Sequence, residues 1–537
     1  MTQFLPVTGS TRSPLPNSRA IGAVDPKEFA SITVRVRSMG DSAALARRAY
    51  ELGTQKLAER VYLTHDELRN RFGASPADLD AVEQFARKNN LAVSQRDSAS
   101  RSIVLSGTLG DLMGAFQTDL QMYHHASGTY RGRQGDIGVP PALASVITGV
   151  FGFDTRPRRR SPRRMKAAAV SGPAQNNGVP ATAYATRYNF PTVAGGVSLD
   201  GAGQTIAIIE LGGGYQNSDL ELYFQKINTP VPDVSWVSVD KQENSPSPAN
   251  ADDGEVMLDI EVAGAVAPKA KIVVYFAPNS GDKGFMDAIS AAIHDTERKP
   301  SVISISWGGP EGAGDPQSIT AFHELFAAAG VLGITICVAS GDHGTADLPV
   351  SAWDGGIHVD HPASDDLVLA CGGTQIDPKS MADVVWNDGT SFNLTMQGGG
   401  GWASGGGISQ IFPVPAYQQG LNMPPALGDG GVGRGVPDIA MSATDYFTRV
   451  DAVEGKNGGT SAVAPLMAAL VARLNQAKSK NVGFLNPLLY GTGGLTRDVT
   501  TGTNGITNTV KGYFAVAGWD PCTGLGTPIG DAILKAL

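Results

Sequence analysis

Residues Gly458-Gly459-Thr460-Ser461-Ala462-Val463-Ala464-Pro465 bring a serine out of a glycine turn onto the start of an apolar segment with helical character, 462–474. Glycines let backbone approach a substrate closely. A helix N-terminus beneath the serine offers unpaired N–H groups and the positive end of a dipole. That layout suits a nucleophile, but a serine hydroxyl at its free pKa is weak and needs a base. Two candidates exist. Glu255 and Asp259 stand four apart in 252–266, on one face of a helix, beside an apolar stripe of Val256, Ile260, Ala263 and Ala267. An acid in the first turn can simply complement the helix dipole. That accounts for Glu255 alone, but less well for Asp259 in the second turn. Like charges at this spacing repel, so a pair kept near apolar residues shares a proton and titrates as a unit, with one pKa raised. A carboxylate base needs that property to take a proton from serine. The other candidate is His343, in His343-Gly344-Thr345. Proline at 349 soon ends any helix there, and a loop histidine is the plainer reading.

These groups need elements to position them. From Gly203 onward, continuous apolar runs at 206–209, 271–276, 302–306 and 333–339 read as buried strands. Helical stretches at 218–226, 253–266, 287–295 and 319–329 lie between them. Buried strands alternating with helices predict an α/β domain with a mostly parallel sheet. Sites in such sheets form at the carboxyl ends of strands. Polar residues cluster at those ends here: Glu210, Ser306 and Asp342. Ahead of this region lies a smaller α+β unit. It has strands at 31–38, 91–94, 101–106 and 120–124, and helices starting at Thr64 (with Glu67 closing a capping box), at Ser75-Pro76 and at 109.

The motifs then fall into one pattern. Asp253-Gly-Glu255-Val-Met-Leu-Asp259-Ile-Glu-Val-Ala-Gly264 resembles the Glu-x-x-x-Asp helix of the sedolisins, the serine-carboxyl peptidases. Ile208-Ile-Glu210-Leu-Gly-Gly-Gly-Tyr215, Ser304-Ile-Ser-Trp307-Gly-Gly-Pro310, Ala370-Cys-Gly-Gly-Thr374 and Gly459-Thr-Ser461-Ala-Val-Ala-Pro465 follow in the family's order, most like its kumamolisin branch. The resemblance runs from about residue 28 to the end. It implies a subtilisin-like domain preceded by a ferredoxin-like prosegment that inhibits it intramolecularly. It implies Ser461 as nucleophile, Glu255 as general base, Asp259 orienting it, Glu210 extending the carboxyl network, and Trp307 packing near Glu210. Asp342 falls where subtilisins place the oxyanion asparagine. Only a neutral acid helps a developing oxyanion, since a carboxylate repels it. The chemistry is therefore tied to acidic pH, where a histidine base is protonated and useless.

Ser306, Gly308, Gly309 and the glycine run 398–407 are expected to present backbone to an extended peptide. Asp360 matches a family position associated with accepting basic side chains. Asp498, Val499, Val516, Gly518 and Asp520 resemble the family's calcium site, with two carboxylates and three backbone carbonyls as hard oxygen ligands for one structural Ca2+. The family usually has glycine where this chain has Val516, a change a carbonyl ligand tolerates unless the backbone needs φ > 0.

Composition fits a well-packed globular chain, with 42% hydrophobic and 17% charged residues. Three cysteines, Cys337, Cys371 and Cys522, offer neither a disulfide framework nor zinc spacing. Residues 1–173 hold 24 Lys and Arg against 15 Asp and Glu, the remainder 18 against 36, so two units of opposite sign attract each other. The expected division is a flexible tail (1–27), a prosegment (28–155), a basic linker with the processing region (156–173) and a catalytic domain (174–537). No aromatics interleave the basic run, so nucleic acid is not expected as a partner. No run is long enough for a membrane span. Residues 1–20 lack a signal pattern, although the resemblance implies secretion, and a monomer after processing. The expected activity is an acid-acting endopeptidase on proteins and peptides. The competing readings are an ordinary subtilisin-type enzyme using His343, and a catalytically inactive, calcium-bound peptide-binding protein. An esterase is disfavoured, because no Gly-x-Ser-x-Gly elbow surrounds Ser461.

Overall fold

A computed structural model describes residues 4–125, 128–156, 166–167, 178–248, 252–349, 353–388, 401–506 and 510–537. Most of the basic linker, the chain start expected near 174 and residues 398–400 of the glycine run lie outside them.

The N-terminal domain contains strands β1 (Arg19–Ala23) and β2 (Phe29–Val36), then helices α1 (Ser42–Thr54), α2 (His65–Phe72) and α3 (Pro76–Lys88). Strands β3 (Ala92–Asp97) and β4 (Ser102–Thr108), helix α4 (Leu109–Phe116), and strands β5 (Leu120–His125), β6 (Gly128–Arg133) and β7 (Ile147–Phe151) follow. An antiparallel sheet of order β3-β4-β2-β7 gives the ferredoxin-like arrangement. Ile32, Val34 and Val36 alternate along β2 into a core with Leu79, Val82 and Phe116. Thr64 and Glu67 form the expected capping box at α2, and Ser75 caps α3 with Pro76 in its first turn. The tail expected over 1–27 is not loose. β1 pairs with β5, and Leu5–Pro6 pairs with Gly138–Val139. Val7 and Val24 are buried, which gives this proline- and glycine-rich stretch an apolar anchor at each end.

The second domain is built on β9 (Thr205–Glu210), β10 (Asp233–Ser238), α5 (Asp253–Val266), β11 (Lys271–Phe276), α6 (Asp282–Ile293), β12 (Val302–Ile305), α7 (Pro316–Leu332) and β13 (Thr335–Ala339). It continues with β14 (Leu369–Ile376), β15 (Asp383–Val385), β16 (Ile439–Ser442), the hairpin of β17 (Tyr446–Val450) and β18 (Val453–Asn457), and α8 (Val463–Lys478). The sheet runs β10-β11-β9-β12-β13-β14-β15, with β16 beside β14, and only the β14–β15 pair is antiparallel. Alternate residues serve opposite faces. Ile206, Ile208 and Ile272 meet α5 and α8, while Ala207, Ile209 and Val273 meet α6 and α7. α6 and α7 begin earlier than the apolar periodicity predicts. Their first turns are polar, and Asp315 caps α7 by accepting from the Ser318 N–H. Among the described residues, no helix is long and apolar enough to cross a membrane.

The N-terminal domain docks on α6 and α7. Leu45, Ala49 and Leu52 of α1 and Phe151 of β7 join the core beneath those helices. Arg35 and Arg101 pair with Glu324, Arg12 and Arg133 with Asp315, and the Thr33 hydroxyl donates to Asp287 at 2.7 Å. Burial pushes Glu324 up, but Arg101 and Arg35 outweigh it and hold the carboxyl at about 2. A released glutamate takes its proton near 4.3, roughly the free value. The separated state therefore binds more protons between those values, and acid favours release. Burial depresses His294 to about 4, which acts in the same direction at higher pH. Burial raises Asp287 to about 6, which opposes both. Glu324→Gln is expected to weaken docking at pH 5 by tenfold or more, because it leaves two buried arginines unpaired. It is also expected to remove the steepest loss of affinity below about pH 4.3. Titrating the N-terminal domain onto the rest of the chain across pH checks both, and an unchanged profile contradicts the assignment.

Candidate active site

Several chain segments converge at the carboxyl edge of the sheet. β9 ends in Glu210, β12 runs on into Ser306 and Trp307, and β13 runs on to Asp342. Across them lies α5, with all 14 of its residues buried, Glu255 and Asp259 included. The expected apolar stripe is thus one part of a helix enclosed on every side. Gly459 has φ +121°, a value that requires glycine, and Thr460–Ala462 makes a 3-10 turn before α8 begins.

The side chains interlock. Ser306 Oγ lies 2.8 and 3.0 Å from the Asp259 carboxyl oxygens and 3.2 Å from the Ser461 carbonyl, so it ties the acid to the backbone of the candidate nucleophile. Trp307 Nε1 donates to Glu210 Oε2 at 2.9 Å, while Glu210 Oε1 is buried with no hydrogen-bond partner among the described residues. Asp342 Oδ1 accepts from both the N–H and the hydroxyl of Thr460, each at 2.7 Å, and Oδ2 is buried with no hydrogen-bond partner among the described residues.

Burial raises Glu210, Asp259 and Asp342 well above the usual carboxylate range. Neighbouring carboxylates add to it: Asp259 and Glu255 act on Glu210, and Glu255 acts on Asp259. The Thr460 hydrogen bonds pull Asp342 back down without cancelling its burial. A neutral Asp342 places its proton on Oδ2, the oxygen that holds no partner, where it can be donated to an incoming group. Glu255 thus lies within electrostatic reach of Glu210, Asp259 and Asp342, and the last two meet the Ser461 turn through Ser306 and Thr460.

His343 follows Asp342 directly but opens only the short turn Gly344–Ala346, with its ring 4.7 Å from that of Trp402. The Ser306 hydroxyl points inward onto Asp259, and Gly309 is paired with His361. A Cβ on Gly308 would lie 1.9 Å from Asp360 Oδ1, so Asp360 packs directly on that glycine. Thr460 escaped sequence reasoning as a functional residue. It stands inside the serine motif, but its partner Asp342 is 118 residues away.

Four of the five residues expected to hold calcium meet in pairs. Asp498 Oδ2 accepts from the Gly518 N–H at 2.8 Å, and Asp520 Oδ2 from the Val516 N–H at 3.2 Å. Val499 is buried next to Asp498 in the chain. Val516 is not among the residues with positive φ, so valine replaces glycine there without strain. Burial raises Asp520 to about 6, a penalty that a bound cation offsets. The all-oxygen donor set fits a hard divalent ion.

Residues 16–156 match the model of the pro-kumamolisin activation domain, and residues 241–489 match the subtilase family. Kumamolisin from Bacillus sp. (strain MN-32) is 43% identical, covering 99% of this chain and 96% of that protein. Sedolisin from Pseudomonas sp. (strain 101) is 26% identical, covering 92% of this chain and 84% of its own length. The solved structure of Pseudomonas sedolisin, a serine-carboxyl proteinase, superimposes with a TM-score of 0.55 at 29% identity, over 65% of this chain and 96% of that one. The chain belongs to the sedolisin family, as a kumamolisin-like serine-carboxyl peptidase preceded by its prosegment.

Proposed function

We propose that the chain is the proenzyme of an acid-acting, self-processing endopeptidase. The observation that carries this reading is the group of buried carboxyl groups around the Ser461 turn, with Asp342 oriented by Thr460 so that its other oxygen is left for a substrate. Ser461 Oγ attacks the peptide carbonyl while Glu255 takes its proton. Asp259, held by Ser306, shares the proton load and keeps Glu255 oriented. Protonated Asp342 donates through Oδ2 to the oxyanion. Glu255 then returns the proton to the leaving amine, and water repeats the cycle on the acyl-enzyme.

Asp498 and Asp520, with the carbonyls of Val499, Val516 and Gly518, would hold one Ca2+. The ion would supply charge balance to the C-terminal loop and takes no part in the reaction. Chelation is expected to lower the melting temperature of the wild type but not that of an Asp520→Asn variant. Equal sensitivity in the two removes the ion from this loop.

Peptide cleavage is expected to be fastest at acidic pH and to fall as Asp342 ionises, with Ser461→Ala inactive. Asp342→Ala should lose roughly 100-fold in kcat or more. Asp342→Asn keeps a donor that cannot ionise, so it should retain more activity and a shallower decline toward neutral pH. A rate that rises through neutrality favours a histidine base and overturns the reading. Stability carries the same signature. Groups with raised native pKa values contribute stability that is complete below their unfolded values and is lost as pH rises through the native ones. The melting temperature of Ser461→Ala is therefore expected to fall from acidic to neutral pH, and Glu210→Gln should flatten the fall.

A further inference from the structure

The proposed base stands at a weak point of its helix. Glu255 lies in the first turn of α5, and no side chain among the described residues caps the start of that helix. Asp253 turns its carboxyl back to accept from the Ser247 N–H at 2.6 Å, and Gly254, a poor helix former, lies between the two acids. A first turn with neither a cap nor strong propensity frays. A base that must meet a serine hydroxyl at hydrogen-bond length therefore needs this turn held from outside.

One side chain holds it from the nucleophile's own strand. β18 is flanked by β17 and by the linker strand β8 (Lys166–Ala167), and its last residue, Asn457, is 2% exposed. Asn457 Nδ2 donates to the Gly254 carbonyl at 3.2 Å, and Oδ1 accepts from the Gly458 N–H at 2.8 Å. These partners fix the carboxamide's orientation, because turning it over would set donor against donor and acceptor against acceptor. Gly254 precedes Glu255, and Gly458 opens the turn that carries Ser461. The turn is closed on its other sides. The Gly459 N–H donates to the Ala443 carbonyl at 2.7 Å, and a Cβ on Gly458 would lie 2.3 Å from that same carbonyl oxygen. Thr460 is held by Asp342, and the Ser461 carbonyl by Ser306. We propose that Asn457 is a positioning residue that sets the separation of Glu255 from Ser461, a reading that rests on the catalytic roles given above. It acts through the backbone of Gly254 and Gly458, and an error of 1 Å between base and nucleophile costs about 100-fold in rate.

Shape and hydrogen bonding can be separated at this position. Leucine matches the carboxamide in outline but leaves the Gly458 N–H buried and unpaired. A neutral aspartic acid reproduces both bonds, donating to Gly254 and accepting from Gly458. An acid at 457 would stand beside the first turn of α5, with Glu255, and beside a cavity lined by Asp388, Asp445 and Lys456, of which the lysine is already paired with Asp445. Burial and these carboxylates keep it neutral in acid.

The test measures kcat and KM of the processed enzyme at acidic pH. Asn457→Leu is expected to lower kcat about tenfold or more with KM changed by less than about threefold, and Asn457→Asp to recover most of that loss. If Asn457→Leu does not fold, Asn457→Ala is compared with Asn457→Asp in its place. A kcat of the apolar variant within about threefold of wild type, a loss carried by KM, or an Asn457→Asp variant no faster than the apolar one overturns the proposal and leaves the peptidase reading standing. If the wild type does not cleave, or Ser461→Ala cleaves as fast, the two readings fall together.

Discussion

The site depends on keeping several carboxyl groups out of water without giving each a cation. Glu210, Glu255, Asp259 and Asp342 are all essentially inaccessible to solvent. An isolated buried carboxylate costs far more than one hydrogen bond returns, so the group settles the cost by holding protons. The surrounding donors are correspondingly sparse and directional: one indole N–H for Glu210, one hydroxyl for Asp259, and one residue, Thr460, supplying both donors to Asp342. Elsewhere the same molecule treats buried acids differently. Asp438 meets the Arg434 guanidinium at 2.8 Å with both side chains fully buried, so a cation pulls back part of the rise that burial imposes on this acid. The contrast separates acids that hold the fold from acids available for chemistry.

The sheet makes this arrangement possible by giving its two faces to different tasks. One face is closed by α5 and α8, which carry the acids and follow the nucleophile turn. The other is closed by α6 and α7, on which the prosegment sits. The prosegment thus contacts the enzyme mainly through a face remote from the acids, and the linker reaches the hairpin next to the serine.

Much of this was legible in the sequence because it is locally written. Continuous apolar runs announced β9, β12 and β13, whose residues are all buried. Capping residues located α2 and α3, and the four-residue spacing of Glu255 and Asp259 placed them on one helical face. Three kinds of feature were not legible. The N-terminal 27 residues looked like a tail because short edge pairings with distant strands leave little periodicity. The polar first turns of α6 and α7 hid their starts. The third is the inward turn of the Ser306 hydroxyl onto Asp259, 47 residues earlier, of which nothing local gives a sign. Contacts made across the sheet leave no period behind them.

Gly308 and Asp360 occupy what is sterically one place. A Cβ at 308 would lie 1.9 Å from Asp360 Oδ1, so the acid holds its present position only beside a residue with no side chain. A side chain at 308 therefore requires the Asp360 carboxyl to swing aside, whereas a smaller residue at 360 asks nothing of Gly308. The dependence runs one way, between positions 52 residues apart.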